Sequence, residues 1–226
     1  MKKEILNKFQ KEILLAVAEL ELGKLYVWTG GTALAYEFHH RLSEDLDFFS
    51  LDLYPDEFIL AEVNKIRKKL KISGVKNLLN KNRNLFELQR GAQILKLEFV
   101  YFPFANLKQP QKIKEFNLMA SSALDLAVNK LFALYERAEA KDIFDLYFLF
   151  REKKYLLDFL IKNIQKKFGV KIDKTNLYKQ AKKALDHLSV LKPFLIKQVS
   201  FDKINMEINQ KFQANNNKFL KSLLAF

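Results

Sequence analysis

Two adjacent glycines constrain this chain most, because the sequence holds only six glycines in 226 residues and Gly30-Gly31 divides a strand-like run from a helix-like one. Leu25 to Trp28 (LYVW) is aromatic and β-branched; after Thr29-Gly30-Gly31-Thr32, the residues ALAYEFHHR return to helical composition. A strand, a glycine turn and a helix in that order open backbone N–H groups at a helix N-terminus, where an anionic phosphate is favoured. Thr32 adds a hydroxyl at the same place.

A second strand is expected from Leu46 to Phe49, within the run E-D-L-D-F-F. Strand residues two apart point the same way, so Asp45 and Asp47 project from one face and Leu46 and Phe48 from the other. Two carboxylates in an otherwise apolar run must be solvated, paired or bound to a cation, and Mg²⁺ is the usual partner of converging carboxylate oxygens. Asp45 follows Gly31 by fourteen residues, which predicts one site for a nucleoside triphosphate and its metal. Two ions ~3.5 to 4 Å apart would need a third carboxylate. Glu98 is the candidate, in the alternating strand I-L-K-L-E-F-V; the alternative for it is a surface pair with Lys96.

Composition narrows the class. With no cysteine, a disulfide scaffold, a zinc ribbon, a Cys nucleophile and an Fe–S site are excluded. Only three histidines are present, and His39 and His40 are expected as packing or surface residues. No segment approaches the ~18 uninterrupted apolar residues of a membrane span, and charges break the N-terminal apolar runs before they reach signal-peptide character. The default expectation is a soluble, cytoplasmic protein with no membrane association. The formal net charge of +13 is unevenly placed: residues 151 to 226 carry 17 Lys/Arg against 6 Asp/Glu, whereas residues 1 to 150 carry 22 against 20. A basic region of that kind attracts a polyanion such as RNA.

Along the chain, the 3.6-residue rhythm of Ile5, Leu6, Phe9, Ile13, Leu14 and Val17 predicts a helix over 3–22, ended by Gly23. A helix over 55–70 starts near Pro55, and a hairpin around Gly91 joins strands NLFELQR and AQILKLEFVYF. From Ser121 onward the chain reads helical, with F-D-L-Y-F-L-F as core, a helix over 174–188 and a last one after Pro193. The expected organisation is an α/β unit over 1–115 and a helical unit over 116–226.

The block GGTALAYEFHHRLSEDLDFF resembles the first motif of the polymerase-β-like nucleotidyltransferases, in the form found in the AbiEii/AbiGii toxin family: Gly-Gly-Thr, then Arg-x-Ser-x-Asp-x-Asp. Downstream, N-K-L-F-A-L-Y-E-R-A-E-A-K-D-I-F-D-L-Y-F-L (129–149) is similar to that family's Lys motif followed by its basic-Asp-x-x-Asp-Leu motif. The resemblance implies that Asp45 and Asp47 ligate Mg²⁺, that Gly30, Gly31 and Thr32 hold the triphosphate, and that Lys130 contacts nucleotide phosphates. It implies a catalytic or organising role for Asp142 and includes Arg41 and Ser43 in the pattern; Asp145 is expected as a structural or surface partner. Lys130 and Asp142 are twelve apart, about 120° out of phase on one helix, so a break is expected between Glu136 and Lys141 with Asp142 in a new first turn.

The reading is therefore a polymerase-β-like α/β core with a mixed sheet and a helical C-terminal domain. The expected activity is transfer of a nucleoside monophosphate from an NTP, with Mg²⁺, to an acceptor hydroxyl. The resemblance implies a tRNA acceptor end and a toxin or phage-defence setting with a cognate antitoxin. The alternatives are a small-molecule nucleotidyltransferase of the antibiotic-modifying kind and a non-catalytic RNA- or partner-binding module.

Overall fold

The structure, a computed structural model, describes residues 4–80 and 82–223. It divides into two compact units, Met1–Ser122 and Ala123–Phe226. The division lies beyond residue 115 because Leu118–Ala120 still forms a strand of the first unit's sheet before the helices begin.

The first unit runs α1 (Lys8–Ala18), α2 (Glu21–Leu25), β1 (Val27–Thr29), α3 (Gly30–Phe38), β2 (Leu46–Ser50) and α4 (Asp56–Lys69). It continues with β3 (Gly74–Asn80), β4 (Arg83–Arg90), β5 (Gln93–Tyr101), β6 (Gln111–Ile113) and β7 (Leu118–Ala120). The seven strands form one mixed sheet in the order β3-β4-β5-β2-β1-β7-β6. β2 sits in its middle, antiparallel to β1 and parallel to β5. Its residues alternate as the sequence predicts: Leu46, Phe48 and Ser50 are buried, Asp47 and Phe49 half-buried. On the buried side Phe48 stacks on Phe99 of β5 at 5.4 Å between ring centroids, and Tyr26 meets Phe99 edge-on at 5.0 Å. Burying one such aromatic contributes roughly 1.5 to 3 kcal/mol, so this cluster holds the centre of the sheet rigid.

The helix expected over 3–22 is two helices. Asn7 and Gln10 form a reciprocal capping box that starts α1 at Lys8; α1 stops at Ala18, and Gly23 lies inside α2 rather than ending the first helix. Its lack of a side chain serves a close approach: a Cβ there would stand 2.6 Å from Val17 O and 2.8 Å from Ala18 Cα. Leu25 belongs to α2, so β1 starts at Val27.

The second unit contains α5 (Ala123–Arg137), α6 (Ala140–Glu152), α7 (Leu157–Phe168), α8 (Lys174–Asp186), a 3₁₀ segment (Leu188–Phe194) and α9 (Phe201–Leu223). α6 is buried without interruption from Asp142 to Phe150, with Phe144, Tyr147, Phe148 and Phe150 in the core. Asp173 caps α8 by accepting from the backbone N–H groups of Thr175 and Asn176. Among the described residues, no helix is long and apolar enough to cross a membrane.

Gly23→Ala should destabilise the first unit by about 1 to 3 kcal/mol, because the atoms it meets are backbone and cannot rotate away. Urea unfolding followed by tryptophan fluorescence tests this; a midpoint equal to wild type would refute the packing argument.

Candidate active site

In the first unit the sequence block of residues 29–47 folds back on itself around the start of α3. Gly30 takes a φ of +75°, a region L side chains rarely enter, and a Cβ on it would stand 2.0 Å from Asp47 Oδ2. The Asp47 carboxylate thus lies against the backbone at the helix N-terminus, where the helix dipole favours negative charge. Thr29, the residue before the helix, is the register partner of Asp47. A Cβ on Gly31 would stand 3.0 Å from both Arg41 Nη2 and Ser43 Oγ, so the second glycine makes room for those two side chains.

Asp45 immediately precedes β2 and, like Asp47, is half-buried, while Leu46 between them is buried. Asp47 leaves the side of the sheet opposite Leu46 and Phe48, and the backbone carbonyl of Asp45 lies by Thr32 in the first turn of α3. The loop that carries Asp45 is pinned from two directions. Gln10, whose side-chain oxygen closes the α1 capping box, donates through Nε2 to Ser43 O (2.8 Å) and Glu44 O (3.2 Å). Thr32 Oγ1 donates to Asp45 O, so this buried hydroxyl holds the loop. Arg41, also buried, donates from Nη1 to Leu42 O at 2.9 Å. Gln10 carries no motif signal; only its spacing from Asn7 could have singled it out.

Glu98 of β5 is the register partner of Asp47 in the parallel β2–β5 pair, on the face of the sheet opposite Leu97 and Phe99. Its partner is not Lys96. Arg83 of β4 donates to it through Nε (2.6 Å) and Nη2 (2.9 Å), a two-pronged ion pair. The expected set of three metal-binding carboxylates is thus not assembled: among the described residues, no group of three His, Cys, Asp or Glu is arranged to hold an ion. Asp45 and Asp47 fit a hard divalent cation in chemistry, both being carboxylate oxygen donors two residues apart, with Asp47 seated in the space that a Cβ at Gly30 would fill. Neither histidine of the His39-His40 pair adds a ligand here: His39 is the exposed left-handed cap of α3 and His40 is fully buried.

The second sequence block forms a cluster inside the helical unit. α5 ends at Arg137, Ala138 turns through a left-handed φ of 52°, and α6 begins at Ala140, so the expected break is present. It places Asp142 in the first turn of α6, across from Lys130 of α5. Lys130 Nζ lies 3.0 Å from Asp142 Oδ1 and 2.9 Å from Asp145 Oδ2, and both aspartates are fully buried. Arg137 completes the cluster, donating to both oxygens of Asp142 at 2.8 and 3.0 Å. Burial alone pushes the Asp142 carboxyl up, but the Lys130 charge and the Arg137 hydrogen bonds outweigh it and hold the group below its ordinary value. Asp145 proves to be a core ion-pair partner. A second buried pair, Lys167 with Asp125 at 2.7 Å, joins α7 to α5; burial lowers the lysine's pKa against the opposing pull of that carboxylate.

The family of nucleotidyl transferase AbiEii toxins, of type IV toxin–antitoxin systems, matches residues 12–224. The chain belongs to the AbiEii family. As a member it is a toxin-family nucleotidyltransferase, and both sequence blocks fall inside the matched region. An uncharacterized protein of Aquifex aeolicus is 32% identical over 164 residues, spanning 72% of this chain and 76% of that protein. Two Helicobacter pylori crystal structures, one of them of JHP933, share the fold. Their TM-scores are 0.62 and 0.61, each at 20% identity, covering 95% and 96% of this AbiEii chain and 94% and 93% of their own.

Two measurements check these arrangements. Gly30→Ala should cost about 1 to 2 kcal/mol from the left-handed backbone alone and displace Asp47 as well; an unchanged melting temperature would contradict that packing. Because Asp142 titrates below its unfolded value, its contribution to stability is complete above the ordinary carboxylate range and is lost as pH falls through it toward the folded pKa. Asp142→Asn should therefore lose about 3 to 5 kcal/mol at neutral pH and show a flatter stability profile as pH falls through and below the ordinary carboxylate range, on the order of one titrating group. Parallel acid melts of the two proteins decide it.

Proposed function

We propose that this AbiEii protein transfers a nucleoside monophosphate from an NTP to an acceptor hydroxyl of RNA, a tRNA end by family resemblance, with Mg²⁺ as the divalent ion and a cognate antitoxin as its protein partner. The observation that carries the reading is the Asp47 carboxylate against Gly30 at the start of α3, with the backbone of Asp45 tied to the same helix end by Thr32. When bound there, the metal supplies positive charge beside the triphosphate, which lowers the cost of in-line displacement at phosphorus.

The chain's own residues have distinct parts. Asp45 and Asp47 hold the ion. The backbone of Gly30 and Gly31 faces the triphosphate, and Arg41 and Ser43 line the second glycine on the side where phosphate oxygens would lie. Thr32 and Gln10 keep the Asp45 loop at its height over the helix end. In the helical unit Lys130 and Asp142 act as an organising cluster that sets the angle between α5 and α6. The acceptor reading is supported by charge: residues 151–226 carry an excess of eleven positive charges, counted as 17 Lys/Arg less 6 Asp/Glu, suited to neutralising an RNA backbone.

Asp45→Asn with Asp47→Asn should abolish transfer of labelled NTP to total RNA while leaving the melting temperature within about 2 °C, since both side chains are half-buried and the change removes charge without volume. Undiminished labelling by the double variant would reject the assignment. Labelling that ignores salt and added RNA would instead favour a small-molecule acceptor.

A further inference from the structure

The pairing of Arg83 with Glu98 has a consequence for how nucleotide charge is met, resting on the nucleotidyltransferase reading above. Glu98 and Asp47 leave neighbouring parallel strands at the same level and on the same face, with backbones ~4.8 Å apart. Two carboxylates so placed repel unless a positive charge is near. For Glu98 a guanidinium supplies it: Arg83 of the adjacent strand β4 donates to both of its oxygens. The two members differ sharply in exposure. The Glu98 side chain is 10% exposed and that of Arg83 is 62% exposed. The carboxylate is the buried anchor, and the cation is presented outward, its plane fixed by the two-pronged contact, on the face that carries Asp47.

We infer that Arg83 is a nucleotide-binding residue that engages the phosphates of the NTP, and that Glu98 is its positioning residue rather than a third metal ligand. Arg83 stands two strands from β2 on the face that carries Asp47, where its guanidinium N–H groups would donate to triphosphate oxygens that a second divalent ion would otherwise have to meet. The lysine at position 96, two residues from Glu98 on the same strand, is exposed and takes no part in the pair.

The test compares Mg²⁺–NTP binding by calorimetry, and the Mg²⁺ concentration needed for half-maximal NTP binding, in wild type, R83K, R83Q, E98Q and the double variant R83Q/E98Q. The double variant replaces the ion pair by two neutral amides, so it removes the charge without stranding a buried carboxylate. Expected are a tenfold or greater loss of NTP affinity in R83Q and in the double variant, a smaller loss in R83K and E98Q, and the same Mg²⁺ midpoint in all five. NTP affinity in the double variant equal to wild type would overturn the inference, as would a tenfold rise in the Mg²⁺ midpoint confined to the variants lacking Glu98. D47N serves as the control for the parent reading. If wild type binds NTP and D47N does not, unchanged binding in R83Q and the double variant sinks this inference alone; if wild type itself binds none, both fall.

Discussion

The Asp47 carboxylate resting on the backbone of Gly30 is the contact around which the first unit's chemistry is arranged. It requires three things together: a residue without Cβ at a φ of +75°, a strand whose register sets Asp47 opposite Thr29, and a helix starting at once so that its N-terminal dipole faces the acid. Each requirement restricts the others. Any side chain at position 30 would collide with the carboxylate, and a one-residue slip of β2 would turn Asp47 into the core and Phe48 out of it.

That register is held by apolar packing on the other side of the sheet. Phe48 on Phe99, with Trp28 and Phe86 also fully buried, makes the side away from the carboxylates dense and poorly able to slide. Polar contacts then do the finer work. Gln10 ties α1 to the 43–44 backbone and Thr32 ties α3 to residue 45, so the approach to Asp45 is held by two elements that are themselves anchored in the core.

The helical unit uses charge differently. Lys130, Arg137, Asp142 and Asp145 form a balanced group of two cations and two anions, with Lys130 and both aspartates buried and Arg137 reaching them from the surface. Buried ion pairs add little net stability over apolar packing, but losing one member strands the rest, so such a group enforces one arrangement of α5 against α6. Ala138, in a left-handed conformation that costs about 1 kcal/mol or more, lets the chain turn between the two helices so that this group can close.

Much of this was legible in the sequence for a simple reason: its signals are local. Gly30-Gly31, the alternation of Asp45 and Asp47 with Leu46 and Phe48, and the twelve-residue offset between Lys130 and Asp142 each follow from strand or helix periodicity. What periodicity does not carry is the partner a side chain meets across elements. Only the tertiary structure decided that Gly23 serves close packing inside a second helix, that Thr32 spends its hydroxyl on a loop carbonyl, and that Glu98 answers to Arg83 from the neighbouring strand. In each case the deciding atom comes from a separate element or a loop, and the distance between them is set by how the sheet and helices pack rather than by spacing along the chain.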